Sequence, residues 1–241
     1  MLWKWAEDYT DMSVAAAEQM RQAVDRNPCA VVVLPTGHSP QLAYRIFRDG
    51  ILRDGVDISR VTFVKLDEWL GLDETDAATC EVFLRRELLE PLGVAENQFL
   101  HFDSMAADPE AECRRFQAAY RALPRIDLVI LGIGKNGHLG LNEPSEHLLA
   151  AAHTVSLTDE TKTHEMLTRT DLPVTRGITM GMGELFRGEK ILLLASGTGK
   201  AHLLEALTDA RITTQIPVTF LKLHPNCICL ADRTAFFKTQ D

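Results

Sequence analysis

Short runs of aliphatic and β-branched residues recur along the chain at 30–34, 61–66, 126–131, 153–157, 190–195, 218–221 and 227–231, most of them bounded by turn-forming residues. Runs of this length and composition predict strands, most of them buried. Between most of them apolar positions repeat at helical spacing, which predicts helices over 10–25, 40–48, 79–89, 109–122 and 199–207. Strand alternating with helix predicts an α/β fold, a mainly parallel sheet with helices on both faces. No repeat, low-complexity tract or Pro/Ser-rich linker interrupts the pattern, so a single domain over 1–241 is expected.

Composition narrows the functions open to such a fold. With 46% hydrophobic and 24% charged residues in 241, the chain can bury a large core. A formal charge of −9 argues against a nucleic-acid partner or an anionic membrane surface, so any phosphate site must be local. The first residues lack the basic start and apolar core of a secretory signal, and no apolar run approaches the ~20 residues of a membrane helix. A cytoplasmic location is therefore expected. Five cysteines do not make a disulfide framework, and Cys227 and Cys229 read as half-buried thiols on a strand rather than a metal pair. No metal is expected.

Four segments could carry chemistry. The strand at 126–131 runs into Gly132-Ile133-Gly134-Lys135-Asn136-Gly137-His138, followed by Asn142-Glu143-Pro144. Three glycines there force a sharp turn that sets a histidine and a carboxylate beyond the carboxyl end of a buried strand, where open α/β sheets keep their active sites. A His138–Glu143 pair could hold the imidazole in one tautomer and move protons near neutral pH. The run Pro35-Thr36-Gly37-His38-Ser39-Pro40 leads from a strand into a helix, with Ser39 a candidate N-cap and Pro40 the first helical position. Such a junction can hold an anion or be a plain helix cap. Ser196-Gly197-Thr198-Gly199-Lys200 repeats the arrangement, and Lys200 in a first helical turn is disfavoured unless an anion sits beside it. Neither is a Walker loop. Asp67 and Glu68 end the strand at 61–66, and alternation lets only one of them enter a cleft over the sheet. His101, His164, His202 and His224 have no comparable setting and read as surface or packing residues.

Taken in order, Pro35-Thr36-Gly37, Leu66-Asp67-Glu68-Trp69, the segment 132–144 and Ser196-Gly197-Thr198-Gly199-Lys200 resemble the glucosamine-6-phosphate deaminase/isomerase family over nearly the whole chain. Lys65-Leu66-Asp67-Glu68-Trp69, Gly134-Lys135-Asn136-Gly137-His138 and Thr175-Arg176-Gly177-Ile178-Thr179 look most like its galactosamine-6-phosphate isomerase/deaminase branch. The resemblance implies a modified Rossmann-like sheet, ring opening of an amino-sugar 6-phosphate, aldose–ketose isomerisation and loss of ammonia, with no metal or organic cofactor. It makes Asp67 the base between C2 and C1, His138 the ring-opening group and Glu143 its orienting partner. Thr36, Gly37, Ser39 and Lys200 map to the phosphate cradle. Oligomeric state stays open between a monomer and a homo-oligomer.

Two positions depart from that pattern. The deaminases usually carry Asp where this chain has Asn136, so His138 loses a carboxylate neighbour that would favour its charged form, and ring opening would be slower or differently timed. The phosphate-binding Arg of the family falls near Leu167 here, leaving Arg169 or Arg176 as substitutes, with Arg176 favoured. The related 6-phosphogluconolactonases lack Asn-Glu-Pro after the Gly-His turn, so Asn142-Glu143-Pro144 counts against lactone hydrolysis. A sugar-phosphate sensing domain without turnover is the third reading, and retention of Asp67, His138 and Glu143 counts against it.

Overall fold

The computed structural model describes residues 1–236. In chain order the strands and α-helices are β1 (Leu2–Ala6), α1 (Tyr9–Arg26), β2 (Val31–Leu34), α2 (His38–Asp54), β3 (Thr62–Lys65), β4 (Asp67–Trp69), α3 (Cys80–Leu84), β5 (Phe99–Leu100), α4 (Pro109–Ala122), β6 (Leu128–Gly132), β7 (His153–Ser156), β8 (Arg176–Thr179), α5 (Met182–Leu185), β9 (Ile191–Ala195), α6 (Ala201–Thr208) and β10 (Cys227–Asp232). Seven strands form one sheet in the order β1-β10-β9-β6-β2-β3-β5, and every adjacent pair is parallel.

The sheet is buried on both faces because its central strands are apolar at consecutive positions. Val32, Leu34, Leu128, Ile130, Leu192 and Leu194 pack on one side against the apolar stripes of α1 and α2. Their neighbours Val31, Val33, Val129, Leu131, Leu193 and Cys229 pack on the other against α4, α5 and α6. The strand period of two thus divides one run of sequence between two cores. Chain progress reverses between β2 and β6: β2 leads outward to β3 and β5, whereas β6 leads to β9 and β10. Loops leaving two such strands diverge and open a crevice at their carboxyl ends, the usual ligand position in open α/β sheets.

Four features correct the sequence expectations. The run 218–221 is not a strand; it lies in a 3₁₀ segment, Pro217–Leu223, which starts at a proline that fixes φ and lacks a donor. The strand expected at 153–157 is β7, but it joins β8 and β4 in a separate three-stranded antiparallel sheet. β1, whose LWKWA sequence interleaves lysine with aromatic rings, adds an edge strand that the aliphatic pattern missed. The helix expected over 79–89 begins as α3 and finishes in a wider π-turn, Arg85–Leu89. No helix among the described residues is long and apolar enough to cross a membrane.

Candidate active site

The crevice at the β2/β6 switch holds a cavity of about 350 Å³, lined by the loops after β2, β3 and β6, by the segment 160–165 and by Lys200. A volume of that order suits a small metabolite. Thr36, Gly37, Ser39, Asp67, His138 and Lys200 all line it, and Glu143 stands immediately behind His138.

Asp67 reaches the cavity because β4 pairs antiparallel with β8, with Asp67 opposite Thr179 and Glu68 opposite Ile178. The pleat sends the two acids in opposite directions, as alternation requires. Glu68 turns into the protein, where its carboxylate takes the Lys65 ammonium at 2.8 Å and the backbone N–H groups of Trp69, Cys80 and Glu81 at 2.8–3.0 Å. Asp67 faces the cavity, and the Cys80 thiol approaches its Oδ1 at 3.8 Å. Burial, reinforced by the Glu68 charge and opposed by His138 and Lys65, pushes the Asp67 carboxyl up to about 7.

The turn after β6 has specific glycine requirements. A Cβ on Gly134 would lie 2.3–2.5 Å from the His138 ring, so the imidazole can fold over the loop only because Gly134 has no side chain. Gly137 and Gly140 take φ of +86° and +60°, a region costly for other residues. A Cβ on Gly140 would also come within 3.4 Å of Asp67 Oδ2. Asn142 locks the turn by donating to the carbonyls of Leu139 and Met180 at 2.8 and 2.9 Å.

His138 Nδ1 lies 3.3 Å from Glu143 Oε2, an ion-pair distance at which the geometry does not make a well-aligned hydrogen bond. Glu143 is otherwise fully engaged: Asn136 Nδ2 donates to Oε2 at 2.7 Å, and Thr161 Oγ1 donates to Oε1 at 2.5 Å. Burial works against ionisation of Glu143, but His138, Thr161 and Asn136 outweigh it and hold the carboxyl down at about 2. Asn136 also accepts from the His138 backbone N–H at 3.1 Å, so it braces both members of the pair without touching the imidazole.

At the other end of the cavity, α2 begins at Gly37, which caps it with φ +94° and no side-chain cap. Ser39 and Pro40 are therefore the second and third helical residues, rather than the N-cap and first position expected. With no side-chain cap, this helix start borders the cavity through Gly37, His38 and Ser39, a setting that suits an anion. Lys200 is the N-cap of α6 rather than a first-turn residue. Burial, helped by nearby Lys135 and opposed by Asp232, lowers its ammonium to about 8, a cost that a bound anion would reverse. Arg176 does not join this end. It lies exposed on β8 with its guanidinium 3.1 Å from Thr154 Oγ1, outside the cavity lining. The strand geometry explains the miss, since β8 pairs with β7 at that point, Arg176 opposite Ser156.

Sequence reasoning missed four residues that the fold brings in. Thr161 reaches Glu143 from 18 residues away, Cys80 sits between Thr36 and Asp67, Lys135 lines the cavity from within the Gly-His turn, and His164 lies over Gly37. Only Lys135, inside the glycine-rich motif, carried a local signal.

A model of the family described as "Glucosamine-6-phosphate isomerases/6-phosphogluconolactonase" matches residues 6–229. The chain is 43% identical over 224 residues to the Escherichia coli (strain K12) protein named "Putative deaminase AgaI", covering 93% of this chain and 89% of that one. It is 34% identical over 236 residues to a glucosamine-6-phosphate deaminase of Clostridium perfringens, covering 95% and 96%. A solved monomeric glucosamine-6-phosphate deaminase superposes with a TM-score of 0.93 at 29% identity over 98% of both chains. The 6-phosphogluconolactonase of Leishmania guyanensis shares the fold alone, with a TM-score of 0.77 at 20% identity. A match over almost the full length, with Asp67, His138 and Glu143 gathered at one crevice, is decisive for descent: the chain belongs to the glucosamine-6-phosphate deaminase/isomerase family.

Proposed function

We propose that the protein is a hexosamine-6-phosphate isomerase/deaminase, converting a 2-amino-2-deoxyhexose 6-phosphate to a ketose 6-phosphate and ammonia. The observation that carries this reading is a carboxyl held at about 7 opposite a histidine in one cavity, Asp67 facing His138, with an anion-suited end at Gly37 and Lys200. A base poised near neutral pH can take a carbon-bound proton and give it back.

In this scheme the phosphate rests on the N–H groups after Gly37 and on Lys200, with Thr36 and Ser39 beside it. His138, braced by Glu143, passes a proton from the C1 hydroxyl to the ring oxygen as the C1–O5 bond breaks. Asp67 then takes the C2 proton while O1 gains one, giving an enolamine. Return of a proton to C1, with loss of one from nitrogen, gives a ketimine. Water adds at C2 and ammonia leaves. Galactosamine 6-phosphate is the favoured sugar, since the segments 65–69, 134–138 and 175–179 resemble that branch.

The test is ammonia release from galactosamine 6-phosphate and glucosamine 6-phosphate, run beside hydrolysis of 6-phosphogluconolactone. Ammonia from the galacto sugar at the higher kcat/KM is expected. Lactone hydrolysis with no ammonia from either hexosamine would overturn the reading.

A further inference from the structure

We propose that His164 is a substrate-binding residue that supplies a neutral N–H donor to the anion-binding end of the cavity, whose lining includes no arginine among the described residues. The assignment of that end to a sugar phosphate rests on the function proposed above.

The geometry sets both the position and the tautomer. His164 caps the 3₁₀ segment Glu165–Arg169, its Nδ1 accepting the Met166 backbone N–H at 3.3 Å. With Nδ1 an acceptor, the ring proton sits on Nε2. That nitrogen lies over the α2 junction, 3.7 Å from where a Cβ on Gly37 would stand, and it has no protein acceptor among the described residues. The ring is seated by a tilted contact with Trp69, centroids 5.8 Å apart, and both residues line the cavity. An N–H held over the uncapped start of α2, in a cavity that Lys200 also lines, adds a donor to a site already supplied with them.

Its surroundings keep the ring neutral. Burial lowers the pKa of His164 most, His138, Arg169 and Lys135 lower it further, and Glu165 alone works the other way. A neutral donor fits this place better than another cation would, because Lys135 and Lys200 both line the cavity and the charge of the first already lowers the pKa of the second. It would also discriminate by ligand charge: an arriving dianion strengthens the Nε2–H bond and favours protonation of the ring.

Two measurements test the assignment, both with inorganic phosphate binding as a readout besides turnover. First, ¹⁵N-labelled histidine is followed by NMR as inorganic phosphate is added to the wild-type protein. His164 Nε2 should shift and its ring titrate at higher pH, while an exposed histidine such as His202 stays put. Second, His164→Ala should weaken inorganic phosphate binding and raise KM for the phosphorylated sugar about ten- to a hundredfold, as for loss of a hydrogen bond to a charged group. His164→Gln, which keeps an N–H donor, should recover most of that loss. Phosphate binding equal to wild type in His164→Ala, with His164 silent in the titration, would overturn the proposal even if the wild-type enzyme releases ammonia. A phosphate-induced shift of His164 in a protein that deaminates neither hexosamine would leave it standing and remove the function instead. A KM loss that His164→Gln does not recover, with phosphate binding intact, would mean the ring only packs against Trp69.

Discussion

The two faces of β4 carry the same chemistry in opposite states. On the inner face Lys65, Glu68 and Glu81 form a buried ion cluster in which every charge is answered: Lys65 Nζ donates to Glu68 at 2.8 Å, to Glu81 at 2.9 Å and to the Phe102 carbonyl at 3.0 Å. Burial opposes both charged forms, yet Glu81 is held well below the usual carboxylate range and Lys65 is raised. On the outer face Asp67, one residue away, has a distant thiol and open cavity, and its carboxyl rises to about 7. Buried carboxylates are therefore not alike. One that is saturated with donors fixes structure, and one left short of them remains free to exchange a proton. The two are coupled, because the Glu68 charge helps raise Asp67.

Breaking the outer face should have the largest effect. Asp67→Asn is expected to lower kcat by at least ~10²-fold while binding of a substrate analogue persists, since the base acts on a carbon-bound proton. In the wild type, kcat/KM should fall as pH drops below about 7, where Asp67 takes up its proton. The stability effect has the opposite sense. A carboxyl raised in the folded state costs stability as pH rises from the unfolded value near 4 through 7, so Asp67→Asn should raise Tm at pH 8 and change it little at pH 4. Near-wild-type kcat, or a Tm that does not move at pH 8, would remove Asp67 from this role.

Breaking the inner face should unfold rather than inactivate. Lys65→Met leaves Glu68 and Glu81 buried without their shared cation, and removing one partner of such a cluster costs about 3–5 kcal/mol. Urea denaturation measures it. A loss under about 1 kcal/mol would mean that water reaches the two carboxylates and screens them.

Lys200→Ala should be milder and should fall on KM, because an ion pair with the phosphate exists in both ground and transition states. The effect should fade for an unphosphorylated sugar. Equal losses for both sugars would show that Lys200 does not read the phosphate.

How much of this contrast the sequence revealed depends on how local its causes are. The central strands and helices were legible because the apolar runs of β2, β3, β6, β9 and β10 are buried where they stand, and the period of two already separated Asp67 from Glu68. The Gly-His turn was legible as well, since its glycines answer steric demands made within the same loop. What stayed hidden was long-range. Lys65 reads as an interruption in an apolar strand until Glu81 and Phe102 close around it, and His164 reads as a surface residue until the fold lays it over Gly37, 127 positions earlier. Arg176 was misplaced for the converse reason: its motif lies near the site in sequence resemblance, but strand pairing carries its side chain elsewhere.

The smallest expected effect sharpens the comparison most. Sequence alone suggests that Asn136→Asp would add a negative neighbour to His138 and favour its charged form. The structure changes that expectation, because Asn136 Nδ2 donates to Glu143 Oε2 at 2.7 Å while its Oδ1 accepts the His138 backbone N–H. Asn136→Asp would therefore replace a donor to Glu143 with a second carboxylate at contact distance, and two acids that close share a proton. Glu143, held at about 2 in the wild type, should titrate at higher pH, and an extra ionisation should appear on the acid limb of the pH–rate profile. At pH 8 the rate should change only severalfold. Carbon-13 NMR of the Glu143 carboxyl in the two proteins decides the matter: an unmoved Glu143 together with an altered rate optimum would return the effect to the imidazole, as the sequence first suggested.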